Sequence, residues 1–172
     1  MKQLFRLIKV FICARFRAAL GVLDEGETHF LVWPNDLDPL MHMNNGVYLT
    51  LLDLGRIDLM IRNGLFKAAS RNGIYPVVAS EAIKFRRSLE PFSKFSIRTK
   101  TVYWDEKYFF IEQRFIQKGE VAASALVKGR FLRKGGGGVA PAELLHLMDY
   151  QGPRPQASPL IQNFLRTDAD LR

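Results

Sequence analysis

The segment "DLDPLMHMNNGVYLTLLDLGRIDLMIRN", Asp36 to Asn63, joins a crowd of polar residues directly to a long apolar pattern. From Asn45 to Asn63 the apolar positions Val47, Leu51, Leu54, Ile57 and Ile61 recur at three- and four-residue steps, the period of an amphipathic helix. Asn44 or Asn45 suits the N-cap, where a side-chain oxygen takes an amide that the helix itself leaves unpaired. Gly64 suits a left-handed C-cap. Gly55 in mid-helix costs about 1 kcal/mol against alanine, so its use is expected to be close approach to a sheet or a twin helix. Asp53 and Arg56 stand three apart and are expected to pair along the helix, with no chemistry assigned.

Outward from this helix the pattern changes to strands. Before it, "ETHFLVWP" (Glu27 to Pro34) reads as a strand stopped by Pro34. After it come four strand-like segments, Val77–Leu89, Phe95–Trp104, Tyr108–Gln117 and Val121–Arg133, separated by the turns "EPFSK", "DEK" and "KGE". Connections this short impose antiparallel neighbours. Phe95, Ile97, Thr99, Thr101 and Tyr103 are expected on one face of their strand, against Ser96, Arg98 and Lys100 on the other. Val127, Gly129 and Phe131 similarly oppose Lys128 and Arg130. The economical architecture is α+β, one long helix laid across a five-stranded antiparallel sheet. "KGGGG" (Lys134 to Gly138) reads as a flexible linker, and Pro141 and Pro159 as first residues of short helices. The expected divisions are therefore 1–25, 26–134 and 135–172.

The first twenty residues, "MKQLFRLIKVFICARFRAAL", carry Arg6, Lys9, Arg15 and Arg17 inside the apolar run, which falls short of the ~18 residues of a membrane span. Phe5, Ile8, Ile12, Phe16 and Ala19 form one stripe at helical spacing, and Arg6, Lys9, Cys13 and Arg17 the opposite one. Two readings follow: a helix on an anionic membrane surface, or a helix packed on its own domain or a partner subunit.

Composition sets the outer bounds. A chain of 172 residues, 48% of them hydrophobic, suits one domain with a real core. The single Cys13 permits no internal disulfide and no cysteine-based zinc site, which points to a reducing compartment, hence the cytoplasm. His29, His42 and His146 lie far apart, so no metal is expected. The net charge of +8 fits phosphorylated substrates or an anionic membrane. No nucleic-acid partner is expected, since no zinc-finger or RNA-binding signature occurs and the aromatics fall in core patterns.

The polar crowd supports a specific chemistry. Helix-start amides carry partial positive charge and would stabilise the oxyanion of a tetrahedral intermediate. Asp38 beside them could activate water or attack a carbonyl, and His42 could orient it. These residues also suit plain architecture: "NDLDP" is a turn sequence, and Asn44 and Asn45 can merely cap. Spacing alone leaves both readings open.

The stretch "DLDPLMHMNNGVYL" resembles the entry segment of hotdog-fold thioesterases. Its D-x-x-x-H-x-N-N spacing is similar to that of acyl-carrier-protein thioesterases, and its Asp to that of the hydroxybenzoyl-CoA thioesterase type. The thioesterase superfamily member six-like group shares D-L-D…H-M-N-N-x-x-Y-L, "RRSLEPF" (Arg86 to Phe92) and a hairpin like "WDEKYFFIEQRF" (Trp104 to Phe115). The resemblance implies a hotdog fold and an acyl-CoA thioesterase of lipid metabolism without a cofactor. Asp38 would be general base or nucleophile, His42 and Asn45 would line the site, and the Asn45 or Gly46 amide would be the oxyanion donor. Leu40 stands where the acyl-carrier-protein enzymes have Asn, which leaves the choice between base and nucleophile open. The family's sites resemble clefts between subunits, implying a homodimer or dimer of dimers. Tyr48 and Leu52 would meet the acyl chain, and Lys84, Arg86, Arg87, Arg98, Lys100, Lys128 and Arg130 are candidates for the phosphates of coenzyme A.

Two rivals use the same fold. A hydratase pattern, D-x-N-P-x-H, separates Asp and His by four residues, whereas three intervene here and Leu40 replaces the Asn. A non-catalytic acyl-CoA-binding or membrane-peripheral protein is the other, motivated by Leu40 and the basic amino terminus.

Overall fold

An eighteen-residue helix, α2 (Asn45–Arg62), lies across the concave face of an antiparallel sheet. The computed structural model describes residues 2–170. Before α2 come α1 (Lys2–Phe16), β1 (Gly26–Leu31) and a 3-10 turn (Pro34–Asp36); after it come α3 (Leu65–Arg71), β2 (Ile74–Phe85), β3 (Lys94–Trp104), β4 (Phe109–Gln117) and β5 (Glu120–Arg133). The chain continues through β6 (Gly138–Val139), α4 (Pro141–Leu147) and α5 (Pro159–Asp170). The strand order is β1-β3-β4-β5-β2, with β6 paired to the end of β5. This is the expected α+β arrangement of one helix held in a curled sheet.

The capping logic of α2 holds at both ends. Asn44 is the N-cap, its Oδ1 accepting the Gly46 amide at 2.9 Å. Gly64 adopts φ 83° and turns the chain straight into α3, a short helix absent from the expected pattern. Gly55 is the point of contact with the sheet: a Cβ there would stand 2.9 Å from Thr99 Oγ1 and 3.0 Å from Gln113 Nε2. Around it Leu51, Leu52 and Leu54 pack with Phe95, Ile97 and Phe115 into one core cluster. A second cluster, at the other end of the helix, gathers Leu65, Trp104, Phe109, Phe131 and Leu144.

Several expectations are corrected. The first strand ends at Leu31 rather than Pro34, which instead opens the 3-10 turn. β2 begins at Ile74 and carries Pro76 in its run, tolerated because β2 is an edge of the sheet. The register of β3 against β4 shifts between Thr101 and Tyr103. That bulge moves Tyr103 off the core face, so its ring meets Phe110 at 5.5 Å in the cluster that α5 covers with Ile161 and Phe164. The glycine run closes a turn rather than a free linker: Gly135, Gly136 and Gly137 have φ of 99°, 110° and 90°, and the Arg133 amide donates to Gly137 O.

The largest surprise is α1. Arg6, Val10 and Ala14 are buried, while Phe5, Ile8, Ile12 and Phe16 point outward. Of the charged stripe, Arg6 and Arg17 turn to the domain because acids wait for them there, while Lys9 and Cys13 stay exposed. Arg6 donates to both oxygens of the fully buried Asp36 at 3.0 and 2.5 Å, and Arg17 donates to Asp58 at 3.0 Å.

Candidate active site

Residues Asp36 to Asn44 form a miniature hairpin at the head of α2. Leu37 and Met43 make an antiparallel bridge, the Asp38 amide donates to His42 O at 2.7 Å, and the Asn44 amide donates to Asp36 O at 2.8 Å. Met43 is buried and anchors the returning arm, while Met41 at the tip adopts φ 60°. Asp36 is the post on which the loop hangs. Its carboxylate takes the Arg6 guanidinium and the Trp33 amide, and Arg6 also donates to Leu31 O at 2.8 Å.

Asp38 is only partly buried, and its two oxygens differ. Oδ1 accepts the Leu40 amide at 2.9 Å and the His42 amide at 3.1 Å, which closes the loop. Oδ2 has no hydrogen bond among the described residues, so half of the carboxylate is not committed to the loop. The helix-start amides divide in the same way. Gly46 gives its N–H to the Asn44 cap, which withdraws it as an oxyanion donor, whereas the Asn45 N–H has no partner among the described residues. His42 and Asn45 are exposed.

The other sequence-derived candidates fall in three places. Tyr48 is buried between Phe85 at 5.0 Å and Phe115 at 4.8 Å, and its hydroxyl accepts the Leu89 amide at 3.4 Å. Burial pushes the pKa of that phenol up, more than the amide lowers it. Leu52 is fully buried in the core. Arg86 and Arg87 follow Phe85 at the end of β2, on the Tyr48 side, where both amides donate to Ala122 O and Arg87 pairs with Glu120. Lys100 lies on the outer face of β3, opposite Glu112 of β4 and away from α2. Lys128 is likewise outward, 2.6 Å from Asp168 of α5 and 4.0 Å above the Tyr108 ring.

A second polar group, not anticipated as a unit, sits at the waist of α2. The buried Arg56 donates to Gln113 Oε1 at 2.7 Å and to Asp53, the expected i,i+3 pair. Gln113, fully buried, donates to Leu52 O and Thr99 Oγ1, both at 3.0 Å. Glu81 Oε2 lies 3.8 Å from Arg56 and is buried without a hydrogen bond, and burial raises its pKa more than the guanidinium lowers it. One sign was readable in advance: Gln113 stands at a core-facing register position between Ile111 and Phe115. Beside this group is an apolar cavity of about 330 Å³, lined by Ile57, Met60, Val77, Ile111 and Phe131 together with Asp53 and Arg56. Asp38, His42 and Asn45 do not line it. Among the described residues no group of three or more His, Cys, Asp or Glu side chains has the placement of a metal site.

The model of the thioesterase-like superfamily matches residues 32–163, most of the chain. The chain belongs to the thioesterase-like superfamily. Within this superfamily it is 40% identical over 109 residues to Protein THEM6 of Xenopus laevis, an alignment that spans 63% of this chain and 53% of that protein. It is 30% identical over 116 residues to a probable thioesterase of Saccharomyces cerevisiae, across 65% of this chain and 50% of that one. The chain thus spans about half the length of these two curated relatives. Among solved structures, the YbaW probable thioesterase from Escherichia coli superposes with a TM-score of 0.66 at 24% identity, covering 72% of this chain and 96% of that one. The BH1999 gentisyl-coenzyme A thioesterase gives 0.64 at 20% identity, over 70% and 99% of the two chains. These likenesses establish the hotdog fold.

Proposed function

We propose that this chain hydrolyses an acyl-CoA thioester to a free acid and coenzyme A, with Asp38 as the catalytic carboxylate. The observation that carries this reading is the unequal Asp38: one oxygen holds the loop in shape, and the other is left without a bond beside a helix start whose Asn45 amide is also unspent. Fixing one oxygen orients the second without ordering cost at the moment of reaction. The Asn45 N–H would receive the developing oxyanion. Asp38 acts either as base toward water or as nucleophile, and His42 orients the thioester. Arg86 and Arg87, both exposed, meet the coenzyme A phosphates, Arg87 by exchanging its Glu120 partner for them. Relatives named as thioesterases, the yeast protein and the gentisyl-coenzyme A enzyme, support thioester chemistry.

The site is completed by a second copy of the chain. β2 is a twelve-residue edge strand with Tyr75, Val78 and Phe85 exposed, an edge that pairing with its twin would cover. Incubation of the purified protein with acyl-CoAs of several lengths, with release of free thiol followed, tests the reading. Hydrolysis that Asp38→Asn leaves unchanged removes Asp38 from the role. A second reading, an acyl-CoA-binding protein without turnover, is favoured by the separation of the apolar cavity from Asp38. Tight acyl-CoA binding with no thiol release would establish it.

A further inference from the structure

The inverted helix α1 leaves an unusual surface. Phe5, Ile8, Ile12 and Phe16 are 65%, 49%, 54% and 87% exposed, and all lie on one side of a single helix. An isolated exposed apolar residue is ordinary, but a contiguous row about three turns long is the mark of an interaction surface. The helix cannot roll to hide it. Rolling would pull Arg6 from the buried Asp36 and Arg17 from Asp58, and would drive Lys9 and Arg15 into the domain. The edge-to-face contact of Phe11 with Phe66 of α3, 5.2 Å between centroids, holds the same orientation.

Charge selects the occupant. At 3.6 residues per turn, Arg15 flanks the apolar row on one side and Lys9 on the other, and both are exposed. No acidic residue occurs before Asp24. A second α1 laid on this face would bring cation against cation. Anionic lipid headgroups would instead meet Lys9 and Arg15 while the apolar side chains enter the acyl region. Trp33, 49% exposed and lining a groove with Phe5 beside α1, extends the surface with a residue suited to the headgroup boundary. No helix among the described residues is long and apolar enough to cross a membrane, so the geometry is one of lying on the surface.

We propose that α1 docks the domain on an anionic phospholipid bilayer through the row Phe5, Ile8, Ile12 and Phe16, flanked by Lys9 and Arg15. The ion pair from Arg6 to Asp36 then ties the docked helix to the loop that carries Asp38. The inference stands apart from the thioesterase reading, because its measurement is vesicle binding and needs no turnover.

The test is sedimentation of the full chain with vesicles of phosphatidylcholine alone, or of phosphatidylcholine with phosphatidylglycerol, at low and high salt. Expected are recovery with the anionic vesicles and release by salt. Ile8→Glu combined with Ile12→Glu should weaken binding at least about tenfold. Its circular dichroism and thermal midpoint should not move, because the changed side chains point away from the core. Lys9→Glu and Arg15→Glu should each weaken it roughly fivefold. Equal recovery with and without vesicles, or undiminished binding by the Ile8/Ile12 variant, overturns the proposal. So does a dimer that the same variant dissociates in the absence of any vesicle binding, which would assign the face to a second copy.

Discussion

The two polar groups on α2 use similar side chains for opposite ends. At the waist, Arg56, Gln113 and Thr99 spend hydrogen bonds on one another and on Leu52 O, under the helix and nearly out of reach of water, and Arg56 reaches out to the exposed Asp53. At the head, Asp38 spends one oxygen of two, the Asn45 amide is unspent, and His42 and Asn45 are exposed. A satisfied buried network specifies how a helix sits on a sheet. A half-satisfied group that water and substrate can reach is free to do chemistry. The waist also leaves one atom over, Glu81 Oε2, but buries it, whereas the spare capacity at the head lies beside exposed residues, and that access separates the two.

That contrast can be broken by mutation. Arg56→Ala should be the most damaging, lowering stability by about 3 kcal/mol by leaving Gln113 and Glu81 without their cation; urea unfolding measures it. An unchanged midpoint would mean that the waist network is not structural. Asp38→Asn should do the reverse. Its carbonyl oxygen still accepts the Leu40 and His42 amides, so the thermal midpoint should hold while thioester hydrolysis falls about 10²-fold, some 2.7 kcal/mol of barrier. A large loss of stability would instead make Asp38 a turn residue. Gly55→Ala should cost about 2 kcal/mol by overpacking against Thr99 and Gln113, without the activity loss of Asp38→Asn in the protein that remains folded. Asn44→Ala removes the cap on Gly46 and should cost about 1 kcal/mol, a chemical unfolding difference that sharpens how much of the head is architecture.

The smallest expected effect concerns pH. Burial raises the Glu81 pKa, so the folded state holds this proton more tightly than the unfolded chain. The stability it contributes is complete below the ordinary carboxylate range and is lost as pH rises toward the folded pKa. Glu81→Gln should flatten that decline in thermal midpoint across mildly acidic pH. A slope identical to that of the original protein would show that another group titrates. Glu27 runs the other way: the Ser96 hydroxyl lowers its pKa despite burial, so its contribution is present at neutral pH and lost on acidification.

The central helix was legible because its periodicity, Asn44 cap and Gly64 stop all agree, and strand alternation gave β3 to β5. The Asp38 and His42 loop was legible as a polar crowd before an apolar run. The waist network was only half legible, because Gly55, Asp53 and Gln113 each break a pattern locally but lie as much as 60 residues apart. α3 was missed because seven residues between a glycine and a strand carry too little period to register.

Local order along the chain determined the long helix, the strand alternation, the caps and the placing of Asp38 ahead of a helix start, since each is written in spacings of two to four residues. Tertiary structure alone decided which side of α1 faces inward, which oxygen of Asp38 is spent and where the β3 bulge turns Tyr103 outward. The reason is one of partners. A hydrophobic stripe predicts burial only until a distant Asp36 and Asp58 offer Arg6 and Arg17 something stronger than water, and such long-range pairings leave no period to read.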